Sequence, residues 1–179
     1  DTGQLLYGGP WVAERHAAIR DFFARHLQDL LPVTREIIGG AEAYSATDTF
    51  LAQYRLAEIA QRAAPVWESI DALCIPTAPT IYTAEAERAE PIRLNSTLGT
   101  YTNFVNLLDL CALALPSGMR PDGLPFGISL VAPAGYDDWL AGLGERFHAA
   151  SALRIGATEW MPAHVTGSAP RTANAGGRV

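Results

Sequence analysis

Two side chains near the start of the sequence have the types and the spacing to bind a carboxylate. Tyr7 lies in the first segment of the chain, and Arg15 follows within the first predicted helix. The guanidinium of Arg15 presents a fork of donors that matches a carboxylate, and the phenol of Tyr7 can add a further hydrogen bond. The alternative is a solvated Arg15 that pairs with Glu14 or Asp21, and the residue pattern by itself favours this alternative.

A second group of polar side chains stands among apolar residues ahead of a predicted buried strand. Amides and hydroxyls in such a context must find hydrogen-bond partners, and a pocket with a polar ligand is one solution. The other solution is that they satisfy loop backbone or cap a helix, and the pattern alone favours it. The group consists of Asn95, Thr97, Thr100, Tyr101, Thr102, Asn103 and Asn106.

The basic residues limit the catalytic chemistry of the chain. All 13 of them are Arg, so the sequence contains no Lys. A Schiff-base lysine, a phosphate-loop lysine and a Ser/Lys catalytic pair are therefore excluded within this chain. The His residues form no metal-binding spacing with Cys or a carboxylate, and no Ser stands in a Gly-x-Ser-x-Gly elbow. We predict neither a metal site nor a cofactor.

Length and composition indicate a globular chain. With 179 residues, 49% of them apolar, it can bury the core of a domain of ordinary size. A formal charge of -6 without runs of like charge argues against a nucleic-acid partner, and no apolar stretch reaches membrane-spanning length. Cys74 and Cys111 lie in apolar runs. This predicts two buried thiols in a reducing compartment, which indicates the cytoplasm.

The first half of the sequence predicts two helices and a strand that would position these residues. Hydrophobic spacing predicts one helix from about Pro10 to Leu31. Ser45 and Asp48 have the form of a capping box, which predicts a second helix that ends just before Pro65. The short apolar run Asp71–Ile75 predicts a buried strand.

The second half predicts a loop, two further helices and a hairpin. Pro76–Pro91 has the composition of a surface loop, Asn95–Asp109 has helical spacing, and Cys111–Leu115 follows directly as a buried strand. Pro121-Asp122-Gly123 has turn chemistry, so Phe126–Val131 is expected to return as the second strand of a hairpin. The buried face of a last helix, which begins near Asp137 and Asp138, is predicted to carry Trp139, Leu140, Leu143 and Phe147.

Three stretches of the second half of the sequence form a recognisable set: Leu94–Asp109 (LNSTLGTYTNFVNLLD), Ala114–Gly118 (ALPSG) and Arg120–Gly127 (RPDGLPFG). Together they closely resemble the later half of the amidase signature family, and specifically its allophanate hydrolase branch. The first segment, Leu6–Arg15 (LYGGPWVAER), is similar to the same branch, and Cys74–Pro79 (CIPTAP) resembles a strand and turn of the family. The resemblance extends over about residues 4 to 150.

This resemblance implies an α/β fold in which a mixed β-sheet is covered by helices. Residues 1–160 would form the C-terminal part of an amidase domain, and residues 161–179 a flexible linker or tail. The family's two catalytic Ser residues and its Lys base are not in these motifs, so the triad is expected in an upstream half of the domain. We therefore expect the isolated chain to be inactive and to expose apolar surface that the upstream half would cover.

The resemblance also implies a substrate. In allophanate hydrolases a Tyr and an Arg of the first motif are implied to bind the substrate carboxylate, and they map onto Tyr7 and Arg15, which reverses the preference drawn from the pattern. The implied reaction is hydrolysis of allophanate (urea-1-carboxylate) to ammonia and carbon dioxide in urea degradation. The expected partners are this small molecule, the upstream half of the domain and, because apolar surface would be exposed, a second copy in a homodimer. Charge and hydropathy argue against nucleic acid and membrane as partners.

Two alternatives stay open on the sequence alone. The chain could belong to an amidase of the same family with a different amide substrate. It could also be a non-catalytic fragment that acts as an interaction module. A neighbouring reading frame that encodes the Ser and Lys motifs would favour a split or cleaved enzyme over such a module.

Overall fold

The structure is a computed structural model that describes residues 2–156 and 158–161. Most of the predicted tail, residues 161–179, lies outside the described residues. The chain divides into two units, of which the first comprises Asp1–Pro65 and Thr80–Leu108 and the second comprises Val66–Pro79 and Asp109–Val179. None of the helices in the described part combines the length and the apolar character that a membrane span needs.

The first unit is helical, and its helices pack mainly in pairs. Helix α1 contacts α5, α2 contacts α4, and α6 contacts α7. The buried apolar side chains of this unit are Leu6, Val12, Ala41, Ala52, Ile59 and Leu94. The helices are α1 (Thr2–Tyr7), α2 (Val12–Ala18), α3 (Arg20–Arg25), α4 (Pro32–Gly39), α5 (Ala46–Ala63), α6 (Ala84–Ala89) and α7 (Pro91–Leu98).

The prediction of one continuous helix from Pro10 to Leu31 is wrong. That stretch forms α2, α3 and a short 3-10 turn, with a break at Ile19, where φ is −115° and ψ is 17°. Hydrogen bonds of helical spacing nevertheless continue across the break. Ile19 donates its N–H to the carbonyl of Arg15 at 3.4 Å, and its own carbonyl accepts from Phe23 at 2.8 Å. The side chains therefore keep a helical periodicity across Ile19, and the sequence pattern does not show the break.

The predicted capping box at the start of α5 is confirmed. The N–H of Asp48 donates to Ser45 Oγ at 3.1 Å, and the N–H of Ser45 donates to Asp48 Oδ2 at 2.8 Å. The helix ends at Ala63, as predicted from the position of Pro65, which falls in the 3-10 turn that follows. A local motif with both partners close in sequence thus fixed this helix start.

Two predictions in the segment between residues 76 and 109 are wrong. The predicted loop Pro76–Pro91 contains α6, whose start is capped by Thr83 Oγ1 accepting from the N–H of Ala86 at 3.1 Å. The predicted helix Asn95–Asp109 is displaced, because α7 already begins at Pro91 and ends at Leu98. A proline at the first helical position lacks a donor that would be unpaired there anyway. Pro91 therefore begins a helix rather than ending a loop.

The second unit contains the sheet, and its α/β character confirms the expected fold class. Strand β1 (Leu73–Pro76), strand β2 (Leu110–Met119) and strand β3 (Pro125–Pro133) pair antiparallel in the order β1-β3-β2. Helix α8 (Asp137–Ser151) packs mainly on β2. The core of this unit consists of Cys111, Leu130, Ala132 and Leu140.

The predicted hairpin between β2 and β3 is confirmed. Gly123 has a φ of 81°, and its N–H donates to the carbonyl of Arg120 at 2.9 Å. The N–H of Leu124 donates to Asp122 Oδ1 at 3.2 Å, which closes the turn further. Strand β2 is longer than predicted because it continues past Pro116, where the register of its pairing with β3 shifts. Such an irregularity accommodates a residue that has no N–H to donate.

The predicted buried strands Asp71–Ile75 and Cys111–Leu115 form as β1 and the start of β2, but they are not buried along their whole length. Along β2 the side chain of Cys111 is buried, whereas Ala112 and Ala114 are exposed. On β1 the thiol of Cys74 is exposed, so only one of the two predicted buried thiols is observed. An antiparallel sheet can bury one face against a helix and leave the other exposed. Because the exposed side chains of β2 are small apolar Ala residues, the alternation of buried and exposed positions has the sequence pattern of a continuous apolar run.

The predicted buried face of α8 is confirmed for Trp139, Leu140 and Leu143, whereas Phe147 is half-buried and lies outside this core cluster. The packing of this face depends on a glycine. Leu140 is 1% exposed, and Trp139 and Leu143 pack against the same core. A β-carbon built on Gly144 would lie 3.2 Å from Leu115 Cδ2 and would overlap Cδ2 of Leu113. The absence of a side chain at this position lets α8 lie directly on β2.

We expect replacements of two glycines in α8 to change stability in opposite directions. Gly142 has no neighbour within 4 Å of a built β-carbon, so Gly142→Ala should stabilise the helix by about 0.5–1 kcal/mol. Gly144→Ala should be about 1–3 kcal/mol less stable than this matched control, because its methyl group overpacks against Leu113. Urea unfolding of both variants measures the difference. Equal stabilities would contradict the close packing of α8 on β2.

We expect the capping box to make stability depend on pH in acid. The side-chain hydroxyl and the backbone N–H of Ser45 hold the pKa of Asp48 below its usual value of 3.8. The ionised carboxylate therefore stabilises the fold above that usual value, and this contribution is lost as the pH falls through the lowered pKa. Asp48→Asn should flatten the acid limb of a plot of Tm against pH, and Ser45→Ala should flatten it in part. An unchanged limb in both variants would contradict this.

Candidate functional site

Tyr7 is the last residue of α1 and is held by a sharp turn of the chain. The N–H of Gly8 donates to the carbonyl of Gln4 at 3.0 Å, which ends the helix. A β-carbon at Gly9 would lie 2.7 Å from the carbonyl oxygen of Leu5, so the chain needs a glycine to fold back this closely. The hydroxyl of Tyr44 donates to the carbonyl of Gly8 at 3.2 Å. The turn that follows Tyr7 is therefore fixed from both sides.

The phenol of Tyr7 lies against the end of α7. A β-carbon built on Gly99 would lie 2.7 Å from Tyr7 Oη and 3.5 Å from Cζ. Gly99 is the residue that caps the C-terminus of α7, and Thr102 and Asn103 donate their backbone N–H groups to its carbonyl at 3.0 and 2.9 Å. Tyr7 as a whole is still 46% exposed, although its phenol packs on the protein.

Arg15 lies on α2 with its side chain exposed. Within the described residues its guanidinium forms no hydrogen bond and no ion pair, including with Glu14 or Asp21, the partners of the solvated alternative. It also forms no hydrogen bond with Tyr7, although both residues belong to the first unit. Arg15 thus offers a charged fork of donors that no carboxylate in the described part of the chain occupies.

The polar group between residues 95 and 106 divides between two roles. Thr97 Oγ1 donates to the carbonyl of Arg93 at 3.0 Å, and Thr100 Oγ1 donates to the carbonyl of Thr97 at 2.6 Å. These two hydroxyls satisfy backbone, as the alternative of the sequence analysis predicted. Asn103 differs, because its side chain packs on Gly3 of α1. The segment therefore contacts the same helix that carries Tyr7.

One polar pair escaped the sequence analysis. Thr77 Oγ1 and Ser129 Oγ lie 2.9 Å apart in a hydrogen bond between the end of β1 and β3, and Ser129 is buried. The two residues are far apart in sequence and meet because Pro76 pairs with Ile128. No local signal could have found this pair, since it depends on the register of the sheet.

No metal centre is found in the part of the chain that the structure describes. Three or more His, Cys, Asp or Glu residues do not come together there in a group that could hold an ion. The guanidinium of Arg15, which no carboxylate occupies among the described residues, has the donor geometry to bind a planar pair of oxygens.

Comparison with known sequences identifies relatives over most of the chain. A sequence model of the amidase family matches residues 12–140. Urea amidolyase from Lachancea kluyveri is 45% identical over 146 residues, which cover 80% of this chain and 8% of that protein. Urea amidolyase from Saccharomyces cerevisiae is 44% identical over 149 residues, 82% of this chain and 8% of that protein. The chain thus spans less than a tenth of these curated relatives.

Comparison with solved structures gives the same picture. Allophanate hydrolase from Kluyveromyces lactis superposes with a TM-score of 0.79 at 42% identity, over 84% of this chain and 25% of that chain. Urea amidolyase from the same organism superposes equally well, with a TM-score of 0.79 over 84% of this chain and 9% of that chain. An amidase at 19% identity, with a TM-score of 0.60 over 74% of this chain and 32% of that chain, shares the fold.

Proposed function

The chain belongs to the amidase family, and we propose that it is part of an allophanate hydrolase. Such an amidohydrolase cleaves the C–N bonds of allophanate with water and releases ammonia and carbon dioxide in urea degradation. The observation that carries the proposal is the similarity to a solved allophanate hydrolase, at 42% identity over 84% of the chain. The match to urea amidolyases at 44–45% identity supports the same substrate.

The proposed task of this part of the enzyme is to bind the substrate carboxylate. Allophanate is a small acyl urea that carries one carboxylate, and the fork of Arg15 can hold both of its oxygens. The hydroxyl of Tyr7, a partly exposed residue, adds a third hydrogen bond. An amide without a carboxylate would leave the Arg15 charge uncompensated. The pair therefore favours allophanate over simple amides.

We assign the covalent chemistry to another part of the protein. The sequence contains no Lys, so the Lys base of the amidase signature triad is not among its residues. Residues 1–160 accordingly correspond, in this proposal, to the C-terminal part of an amidase domain, and residues 161–179 to a linker. This part of the enzyme contributes substrate-binding residues and core.

The proposed partners are the upstream half of the amidase domain and a second copy in a homodimer. Large apolar side chains lie at the surface, which supports the proposal that a partner packs there. On α5 three of them, Phe50, Leu51 and Tyr54, are each more than half exposed. Isolated apolar residues at a surface are common, but such a group on one short stretch favours an interface. Free thiols at Cys74 and Cys111 support a cytoplasmic location.

We expect the isolated chain to release no ammonia from allophanate. The chain can contribute only binding and positioning, because it has no Lys to act as the base of the triad. Ammonia release by the purified chain is compared with a buffer control and with the full-length enzyme at equal molar concentration. Release above the buffer control would contradict the proposed division between binding and catalysis.

We expect Arg15→Ala in the full-length enzyme to lower kcat/KM for allophanate by about ten- to a hundredfold. A charge-assisted hydrogen-bonded contact contributes about 1.5–3 kcal/mol, and its loss raises the barrier by that amount. Arg15→Lys keeps the charge but loses the fork, so it should restore only part of the loss. Tyr7→Phe removes one neutral hydrogen bond and should cost less than Arg15→Ala.

The control for this experiment is an arginine outside the proposed site. Arg20 is exposed on α3 and forms no ion pair within the described residues, so Arg20→Ala should leave kcat/KM unchanged.

The informative comparison is an amide substrate without a carboxylate, whose turnover should be insensitive to Arg15→Ala. Equal losses on both substrates would mean that Arg15 acts structurally. Preference of the unmodified enzyme for simple aliphatic amides would favour an amidase with a different substrate.

A further inference from the structure

Helix α1 and the turn after α7 interlock at two glycines. The phenol of Tyr7 occupies the space where a β-carbon at Gly99 would lie. In the reverse direction, the side chain of Asn103 occupies the space at Gly3, with its Cγ 3.1 Å from a built β-carbon. Each element thus contributes one glycine and one large side chain, and on both elements the two residues are one helical turn apart.

The backbone does not require glycine at either position. Gly99 has φ −79° and ψ −1°, a conformation that any residue adopts. Gly3 lies inside α1, where glycine is less favourable than alanine. What both positions require is space for the side chain of the opposite element. The two glycines therefore allow the side chains of Tyr7 and Asn103 to lie close to the backbone of the opposite element.

We infer that Gly99 is a positioning residue for the Tyr7 phenol and thereby helps the enzyme select a carboxylate-bearing substrate. This inference rests on the proposed function. Tyr7 Oη forms no hydrogen bond within the described residues, so its proton is available to a ligand. The contact with Gly99 on one side of the ring restricts where that proton can point.

The contact between Gly3 and Asn103 supports the same arrangement. A single contact point would let α1 rotate or slide along the turn, whereas two contacts separated by one helical turn fix its register. Because Tyr7 is the last residue of α1, its ring follows any movement of this helix. Asn103 thus acts on Tyr7 through the position of the helix, while Gly99 acts through direct contact.

The test uses Gly99→Ala, Tyr7→Phe and the double variant in the full-length enzyme. Gly99→Ala should displace the phenol and raise KM for allophanate by about three- to tenfold, close to the effect of Tyr7→Phe, since each loses one neutral hydrogen bond. The double variant should be no worse than the more affected single variant, because the hydroxyl can be lost only once. The matched control is Gly40→Ala, where a built β-carbon has no neighbour within 4 Å, and its KM should equal that of the unmodified enzyme.

Thermal unfolding provides a second readout that does not depend on activity. Gly99→Ala should lower Tm in the unmodified background and should not lower it in a Tyr7→Ala background, where the ring that it strikes is absent. If Gly99→Ala alone fails to fold, recovery of folding in the Tyr7→Ala background supports the inference equally well. Failure to recover overturns it.

The outcomes separate this inference from the proposed function. An unchanged KM in Gly99→Ala, or losses that multiply in the double variant, overturns the role of Gly99 while Arg15 can still bind the carboxylate. An unchanged KM in Tyr7→Phe overturns both the role of Tyr7 and the inference built on it. Arg15→Ala tests the proposed function independently, because Arg15 forms no hydrogen bond to Tyr7.

Discussion

The close approach of α1 to the turn after α7 is the constraint on which the candidate site depends. Tyr7 and Asn103 fill the spaces that Gly99 and Gly3 leave open. A phenol at the end of a short helix would otherwise sample several positions, and ordering it would reduce the affinity for a ligand. Because packing already orders the ring, its conformational entropy is lost when the protein folds and not when a ligand binds. The position of the Tyr7 ring thus depends on the absence of side chains at Gly99 and Gly3.

The sheet unit depends on the same kind of constraint. Helix α8 lies on β2 at the distance that Gly144 allows, and the methyl groups of Leu113 and Leu115 fill that space. The hydrogen bond between Thr77 and Ser129 then ties the end of β1 to β3. In the part of this unit that the structure describes, the core lies between the sheet and α8.

The composition of the chain agrees with a part that binds rather than catalyses. A chain whose basic residues are all Arg has permanently charged, bidentate donors and lacks a group that can act as a lysine base. Arg15 is placed on an exposed helix without a partner in the described residues, which is costly only where a charge is buried. In the proposed allophanate hydrolase, the covalent chemistry is therefore assigned to another part of the protein.

The sequence by itself determined those features whose partners are close along the chain. The capping box at Ser45 and the hairpin turn at Gly123 each involve residues within a few positions, so composition and spacing were sufficient to predict them. Residue type and spacing made Tyr7 a candidate, and the resemblance to a family favoured it, but neither indicated which residues hold its side chain. Only the tertiary structure decided that Cys74 is exposed on its strand and that Tyr7 packs on Gly99. Both depend on contacts between segments far apart in sequence, and a linear pattern carries no record of which segments meet.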